Sequence, residues 1–410
     1  MKTNFLKSNE FILIIYCLLY LSLVFGFIYN EDLAGGGVLD RSFQRNVTLN
    51  GFKNGVSSFL FSFYPTNTII HSPIYYILIH KLEIIINNEN LFRFFLLNVS
   101  LITPLILIKN LKKKFGHSYL ILAIPIICFL SPNFRSVVIW SGREILSLGF
   151  LSISIFYFIN SFDNFSLKNI FLSFLFLVCA CYISWEYGFI SIIYFIKLLK
   201  EYKNKFIFIL IILFNLILSL PFFIYVFKFI EIGGYNQSVI SNIFNNIPYF
   251  FSTYFFYSLP FLFLNNNFMK YIINNKLIFI STLVFFFIVS YFNEVPEIGG
   301  GLFKQILVFL NLSQLIFIFS AMGILSFVYL NDKKLPLNIL ILSVFILQTC
   351  ISYHFFQKYM DLVFIIYFFF LFEMNFLNTI ILQKRLIKNL FFLSIFYFLV
   401  SAISRTNLIL

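Results

Sequence analysis

The polar residues best suited to chemistry lie in one interval, residues 30–93, between two apolar segments. The interval opens with the adjacent acids Glu31 and Asp32 and later contains the run His71-Ser72-Pro73-Ile74-Tyr75-Tyr76. Only 11% of the chain is charged, so such a concentration of polar groups needs a reason. A carboxylate of Glu31 or Asp32 could act as a general base that takes a proton from an acceptor hydroxyl; the alternative is a solvated helix end. For His71, a direct role and a loop hydrogen bond are equally open.

A second set of polar residues follows in short turns between later apolar segments. Its members are Arg143, Glu144, Glu186, Lys358 and Tyr359. Arg143 and Lys358 either anchor segment ends at a membrane boundary or bind a phosphate, which Arg grips bidentately and Lys as a point charge. Glu186, next to Trp185, is either a cavity-facing acid or part of an interfacial turn. Glu373 lies within a late apolar segment, where a neutral, hydrogen-bonded carboxylic acid is expected.

The composition indicates a membrane protein. The chain has 410 residues, is 60% hydrophobic and contains 63 Phe, and a soluble protein that buried so many apolar side chains would have too little polar surface. The apolar runs are too long for barrel strands and do not alternate, so the spans are predicted to be helices. The net charge of +13 comes from Lys and Arg in short loops, which indicates the positive-inside rule rather than nucleic-acid binding. The five cysteines lie inside apolar runs and predict neither disulfides nor a metal site.

Clusters of Lys and Arg alternate with pairs of apolar segments, which predicts about 12–13 transmembrane helices and a cytoplasmic N-terminus. The first extracytoplasmic loop, about residues 30–90, is then the largest. Residues 73–86 within it are too short to cross comfortably. Four polar residues of this region share one helical face, namely Ser72, Tyr76, His80 and Glu83. Isoleucines and leucines lie opposite, so we expect an amphipathic helix in the membrane interface.

The order of these motifs resembles the GT-C superfamily of membrane glycosyltransferases, in the branch of the protein O-mannosyltransferases and the lipid A aminoarabinose transferases. Its members have an acidic residue or pair after the first span, as in Glu31-Asp32, and a His-Pro-Pro-Leu-Tyr-like motif similar to His71 to Tyr75. Further family motifs are similar to Glu89 to Arg93, Ser141-Gly142-Arg143-Glu144, Ser184-Trp185-Glu186 and Lys358-Tyr359. The chain departs from the family pattern with Ser72 for proline, Trp185 for histidine and Lys358 for arginine.

The resemblance implies an all-α polytopic membrane protein with a GT-C-like bundle. Residues 1–230 would form the catalytic membrane module and residues 231–410 a variable C-terminal transmembrane module. The implied reaction transfers a sugar from a polyprenyl-phosphate donor to a glycan, lipid or protein acceptor outside the cytoplasm.

The resemblance also implies a role for each candidate residue. Glu31 or Asp32 would deprotonate the acceptor, and direct displacement would invert the anomeric centre. Arg143 and Lys358 would lie near the leaving phosphate and stabilise its growing charge. The remaining substrate-binding residues would be His71, Tyr75, Glu144, Glu186 and Tyr359. No cofactor is certain, although the paired acids could hold a divalent metal.

Other functions stay open at this point. A flippase or other carrier of lipid-linked oligosaccharides would place polar residues at the bilayer midplane, whereas here they lie mainly at the outer boundary. A polysaccharide polymerase or ligase would be expected to have its main outer loop late in the chain, and a non-enzymatic assembly partner would not need the acids. The expected location is the bacterial inner membrane, with membrane lipids as surroundings and no nucleic-acid partner.

Overall fold

The computed structural model describes most of the chain. The described residues are 2–63, 73–116, 121, 124–164, 166–201, 205–232, 239–264, 267–292, 300–331, 335–352, 355–374, 377 and 383–405. They are almost entirely helical, and no β-strand occurs among them. The prediction of an all-α chain is confirmed.

The chain forms two compact units. Unit 1 comprises Met1–Asn236 and Ile395–Leu410, and unit 2 comprises Gln237–Ser394. The predicted polar interval, 30–93, lies within unit 1.

Unit 1 begins with a long apolar helix and continues through the polar interval into a series of apolar helices. Its helices are α1 (Lys2–Ile28), α2 (Gly37–Gly51), α3 (Gly55–Ser58), α4 (Pro73–Ile86), α5 (Glu89–Ser100), α6 (Ile102–Phe115), α7 (Ile126–Leu130), α8 (Pro132–Ile139), α9 (Glu144–Asn164), α10 (Leu167–Cys181), α11 (Ile190–Glu201) and α12 (Lys205–Ile232). A π-helical turn, Phe59–Phe63, follows α3, and a 3₁₀ turn, Trp185–Phe189, joins α10 to α11. Helix α9 packs against both α6 and α10.

Unit 2 is built around one long helix, α13, which packs against α17 and α18. Its helices are α13 (Val239–Leu262), α14 (Asn267–Asn274), α15 (Lys276–Phe292), α16 (Gly301–Phe309), α17 (Ile316–Asn331), α18 (Leu335–Cys350), α19 (Asp361–Ile366) and α20 (Lys384–Arg405), of which the residues from Ile395 onward belong to unit 1. Two 3₁₀ turns, Ser313–Leu315 and Gln357–Tyr359, and a π-helical turn, Tyr367–Leu371, complete it.

Several helices have the length and apolarity of membrane spans. Four stretches in the described parts of the chain meet both requirements: Glu89–Phe115, Glu144–Phe162, Ser313–Asn331 and Lys384–Ile403. Helices α14 and α15, bent by 82°, would add a fifth if they form one span. The protein is therefore all-helical, with apolar helices typical of a membrane protein. The larger count of about 12–13 spans stays a prediction.

The polar interval has a core of its own, which fixes the position of its functional side chains. Tyr75 and Tyr76 of α4 are each 1% exposed and pack with aromatic and aliphatic side chains of α2 and α5. The opposite side of α4 is apolar and exposed, with Ile74, Leu78 and Ile85 at 45%, 43% and 77%. A helix is thus confirmed where the sequence predicted one, and its free side is the apolar one that an interfacial helix needs.

The segment from α7 to α9 is broken at Ser131, whose backbone is extended before Pro132. Ser131 caps α8 by accepting a 3.0 Å hydrogen bond from the Phe134 N–H, and Pro132 occupies the first helical position, where no N–H is needed. After α8 the chain turns again at Ser141, which has a positive φ of 57°. These two turns bring Arg135 and Trp140 toward the polar interval.

The surroundings of Glu373 differ from the prediction. The helix that contains Asp361 ends at Leu371, and Phe372 is extended. The Glu373 N–H donates to Asn338 Oδ1 over 2.9 Å, and Asn338 Nδ2 donates to the Glu373 carbonyl over 3.1 Å. The prediction that Glu373 lies inside a helical span is wrong, because an asparagine side chain replaces the helical partners of its backbone.

Candidate active site

The acidic pair is positioned by the end of α1. Asn30 adopts the left-handed conformation, φ 53°, which commonly ends a helix. The Glu31 N–H reaches back to the Gly26 carbonyl over 2.8 Å. The indole Nε1 of Trp140 donates to the Glu31 carbonyl over 2.9 Å, so the backbone of the pair is fixed from two sides.

Glu31 is fully engaged by a buried arginine. Arg135 Nε donates to Glu31 Oε1 and Arg135 Nη2 to Oε2, both over 2.6 Å. The remaining N–H groups of Arg135 reach the hydroxyl and carbonyl of Ser22 and the carbonyl of Phe129. Arg135 is 1% exposed. A bidentate pair of this kind is a strong, geometrically fixed interaction, and it occupies both carboxylate oxygens of Glu31.

Asp32 has a different environment, although it is the next residue. Its Oδ2 accepts a 3.2 Å hydrogen bond from the Val38 N–H in the first turn of α2, where the helix dipole favours a negative charge. Its Oδ1 is buried and has no hydrogen-bond partner among the described residues. Gly37 passes so close that a Cβ there would lie 3.0 Å from Oδ1 and 2.8 Å from Trp140 Cδ1. Asp32 therefore has one carboxylate oxygen without a hydrogen-bond partner in the described structure.

Arg93 lies against the same indole. Its guanidinium stacks over the Trp140 ring at 4.0 Å and over the Phe27 ring at 5.1 Å. Its Nε donates to the Ile139 carbonyl and its Nη1 to Asn30 Oδ1, each over 3.0 Å. Trp140 thus donates to the Glu31 backbone, lies beside Gly37 near Asp32 and stacks against the guanidinium of Arg93.

Tyr75 connects the polar interval to the turn after α8. Its hydroxyl donates toward Gln44 Oε1 at 3.3 Å and the Ser141 carbonyl at 3.5 Å. Burial raises the pKa of Tyr75 well above its usual range, so the hydroxyl stays protonated and acts as a donor. Tyr75 holds the two segments together by these contacts.

A second arginine with carboxylate partners holds α2 to the following helices, although its Nη1 is buried without a hydrogen-bond partner in the described structure. Arg41 donates to both carboxylate oxygens of Glu89 over 2.8 Å and also to Glu83. Its ring contact is with Phe92 at 4.7 Å. This cluster joins α2, α4 and α5 and is a structural feature of the interval.

Arg143, Glu144 and Glu186 lie close together. Arg143 Nε lies 3.7 Å from Glu144 Oε1, and Arg143 Nη2 lies 3.9 Å from Glu186 Oε1. Burial raises the pKa of the Glu186 carboxyl, and the Arg143 guanidinium offsets part of that effect. With two carboxylates within 4 Å, Arg143 has less net positive charge to offer a phosphate than the sequence suggested.

An apolar cavity of about 490 Å³ lies between α10, α11 and α12. Gly188, in the turn that carries Glu186, lies on its wall. The amide of Asn215 also lines the cavity, and its Oδ1 is buried without a hydrogen-bond partner in the described structure. The cavity could take a hydrocarbon chain.

The remaining predicted residues lie elsewhere. Lys358 belongs to unit 2, where its Nζ lies 5.6 Å from the centre of the Phe356 ring, and the Tyr359 backbone ends the same 3₁₀ turn. His71 lies outside the described residues. For a metal, no group of three or more His, Cys, Asp or Glu side chains forms within the described ranges.

Sequence reasoning did not identify Trp140, Gln44 or Arg41 as parts of the site. Trp140 is one of only two tryptophans, which is a signal that could have been used. Gln44 and Arg41 lie on α2 without any motif to mark them. Glu31, Asp32, Tyr75, Arg143, Glu144 and Glu186 all lie within unit 1. No protein family, curated protein or solved structure that was compared matches this chain.

Proposed function

We propose that this protein is a membrane glycosyltransferase that moves a sugar from a polyprenyl-phosphate donor to an acceptor hydroxyl on the extracytoplasmic side. The observation that carries the proposal is Asp32, a fixed carboxylate with one oxygen held by a helix N-terminus and the other without a partner in the described structure. The GT-C-like order of motifs supports the same reaction class. Glu31 is the less suitable base, because Arg135 occupies both of its oxygens.

The proposed reaction is a single displacement. Asp32 Oδ1 takes the proton of the acceptor hydroxyl while the acceptor oxygen attacks the anomeric carbon. The bond between the anomeric carbon and the lipid phosphate breaks, and its electron pair leaves with the phosphate. The anomeric centre inverts.

The Gly35–Gly37 run borders Asp32 and gives the substrate its route to Oδ1. Gly35 and Gly36 have positive φ values of 68° and 93°, a conformation that glycine adopts at little cost. Their backbone can shift without the penalty that a side chain would impose. A base that is covered until the acceptor arrives would be protected from water.

The proposal also covers the number of membrane spans, their orientation and the place of α4 and of the apolar cavity. The chain would form a GT-C-like bundle of about 12–13 spans with its N-terminus in the cytoplasm of a bacterial inner membrane. Helix α4 would lie in the outer interface, which its exposed apolar side supports. The cavity between α10, α11 and α12 would hold part of the isoprenoid tail, because its wall is almost wholly apolar.

The test compares surface glycans and polyprenyl-linked lipids by mass spectrometry. Cells that lack the gene would be complemented with the wild type, Asp32→Asn, Glu31→Gln or the matched control Asp40→Asn, an acid in the first turn of α2. We expect the deletion to lose one sugar and accumulate its donor, Asp40→Asn to restore the glycan, and Asp32→Asn to fail while it still reaches the membrane. In a purified assay the Asp32→Asn rate should fall by about 10²–10⁴-fold, the usual contribution of a general base.

Two results would contradict the proposal. Full rescue by Asp32→Asn would remove Asp32 as the base. A deletion that strands a complete lipid-linked oligosaccharide would instead indicate a carrier, polymerase or ligase.

A further inference from the structure

Unit 1 contains four buried arginines in its described part, and their partners differ. Arg41, Arg93, Arg135 and Arg143 are 4%, 5%, 1% and 6% exposed. A guanidinium removed from water loses its hydration, and a carboxylate or another anion normally compensates for this. The carboxylates near each arginine therefore show whether the protein alone balances the positive charge of that side chain.

Three of the four have carboxylates from the protein. Arg41 bonds with Glu83 and Glu89, Arg135 forms a bidentate pair with Glu31, and Arg143 lies within 4 Å of Glu144 and Glu186. These positive charges are already compensated.

Arg93 is different. No carboxylate of the described residues lies within 4.0 Å of its guanidinium, and its Nη2 is buried without a hydrogen-bond partner in that part of the chain. Glu89, one turn earlier on α5, has both oxygens bonded to Arg41. Two neutral oxygens and two aromatic faces hold the guanidinium in place, but they do not neutralise it.

The position of Arg93 suits a reacting group. Trp140 carries the Arg93 guanidinium on its ring, and its Cδ1 edge lies beside the position where Gly37 approaches Asp32 Oδ1. The Trp140 indole thus lies next to two side chains with an unpartnered atom, the acceptor Oδ1 of Asp32 and the donor Nη2 of Arg93. A substrate that reacts at Asp32 and releases an anion would satisfy both groups.

We infer that Arg93 binds the phosphate of the polyprenyl-phosphate donor through Nη2 and so stabilises the leaving group. The inference rests on the proposed function and names the residue that recognises the leaving group. It replaces Arg143 in that role, because Arg143 is flanked by two carboxylates that would repel a phosphate. Guanidinium is suited to the task, since its planar N–H groups match phosphate oxygens.

The experiment measures binding separately from transfer. Purified protein in phosphatidylcholine nanodiscs would be titrated with a short-chain polyprenyl phosphate. Inorganic phosphate and phosphatidylglycerol would be tested in parallel, which distinguishes a carrier phosphate from a free ion and from a general anionic lipid. The variants are Arg93→Gln, Arg93→Lys and the control Arg45→Gln, an exposed arginine on α2. The thermal unfolding midpoint of each is recorded.

We expect polyprenyl phosphate to bind Arg93→Gln at least about tenfold more weakly than the wild type, as the loss of a charge-assisted hydrogen bond predicts. Arg93→Lys keeps the charge but not the planar donors, so its affinity should be intermediate, and Arg45→Gln should bind normally. If Arg93→Gln does not fold, the polyprenyl phosphate affinity of Arg93→Lys alone tests the inference. A folded Arg93 variant with wild-type affinity, or an equal loss in Arg45→Gln, would overturn the inference.

The two proposals can fail independently. Binding that depends on Arg93 without any sugar transfer would leave the phosphate site standing and remove the transferase. Sugar transfer that requires Asp32, together with wild-type phosphate binding by a folded Arg93→Lys variant, would support the transferase and remove the phosphate site at Arg93. Preference for inorganic phosphate or phosphatidylglycerol over the polyprenyl phosphate would contradict the carrier as the ligand.

Discussion

Two polar clusters, one around Tyr257 in unit 2 and one around Trp140 in unit 1, differ in how many of their polar groups have hydrogen-bond partners. In unit 2, the Tyr257 hydroxyl donates to Asp361 Oδ1 over 3.0 Å and accepts from Gln357 Nε2 over 2.9 Å. Gln357 Oε1 in turn accepts the Leu302 N–H over 2.8 Å. In unit 1, Asp32 Oδ1 and Arg93 Nη2 have no such partner within the described residues.

We interpret the Tyr257 cluster as holding the fold and the unpartnered atoms beside Trp140 as the proposed ligand-binding groups. A buried donor or acceptor without a partner costs free energy, whereas a closed network repays its burial. In unit 2, the Tyr257 hydroxyl, the Gln357 amide and the Asp361 carboxylate join α13, α16, the 3₁₀ turn Gln357–Tyr359 and the start of α19. Unit 1 contains both kinds of group, because Arg135 is saturated and Arg93 is not.

The largest effect is expected at the saturated pair of unit 1. Arg135→Gln leaves the Glu31 carboxylate without its bidentate partner and should lower the free energy of unfolding by about 3–5 kcal/mol, as breaking a buried ion pair does. The measurement is the unfolding equilibrium in mixed detergent micelles. Arg135→Lys, which keeps the charge, serves as the control and should lose less. Wild-type stability in Arg135→Gln would mean that this pair does not hold the fold.

A smaller effect is expected in unit 2. Tyr257→Phe removes the hydroxyl between Asp361 and Gln357, so both lose a hydrogen bond, and the expected loss of stability is about 1–3 kcal/mol. The transfer rate per folded molecule should not change. A rate loss without a stability loss would show that the unit 2 network takes part in the reaction, and the comparison between the units would then fail.

The smallest effect concerns pH. Because burial raises the pKa of Glu186, the folded protein binds a proton at this carboxyl more tightly than the unfolded chain does. Its contribution to stability is therefore present below the ordinary glutamate pKa and is lost as the pH rises through the raised value. Thermal unfolding of the wild type and Glu186→Gln between pH 4 and pH 7 should show the wild type losing stability relative to the variant as the pH rises. A parallel pH dependence for both proteins would contradict this assignment.

The local parts of this structure could be predicted from the sequence. The helix over residues 73–86 was predicted from one polar face opposite isoleucines and leucines, and the break at Pro132 follows from the missing N–H of proline. Both depend on neighbours in sequence. Most candidate residues also lie in unit 1, because they fall in the part of the chain before Asn236.

The roles of the two acids could not be predicted. Arg135 is 104 residues from Glu31, and nothing in the sequence shows which acid it would pair with. The prediction for Glu373 failed for a similar reason. The backbone of Glu373 bonds with the side chain of Asn338, which lies 35 residues earlier in the chain. In each case a distant polar partner decides the outcome, and a local pattern contains no information about it.

The short connection between α1 and α2 has a consequence for how such a protein can evolve. Gly26 leaves room for the Glu31–Arg135 pair, since a Cβ there would lie 2.5 Å from Glu31 Oε2, and Gly37 leaves room for Asp32 and Trp140. Deletion of one residue between Gly26 and Glu31 would place Asp32 at the position where Glu31 now meets Arg135. Most loops accept length changes freely, whereas the close contacts at Gly26 and Gly37 make this connection sensitive to a change in its length.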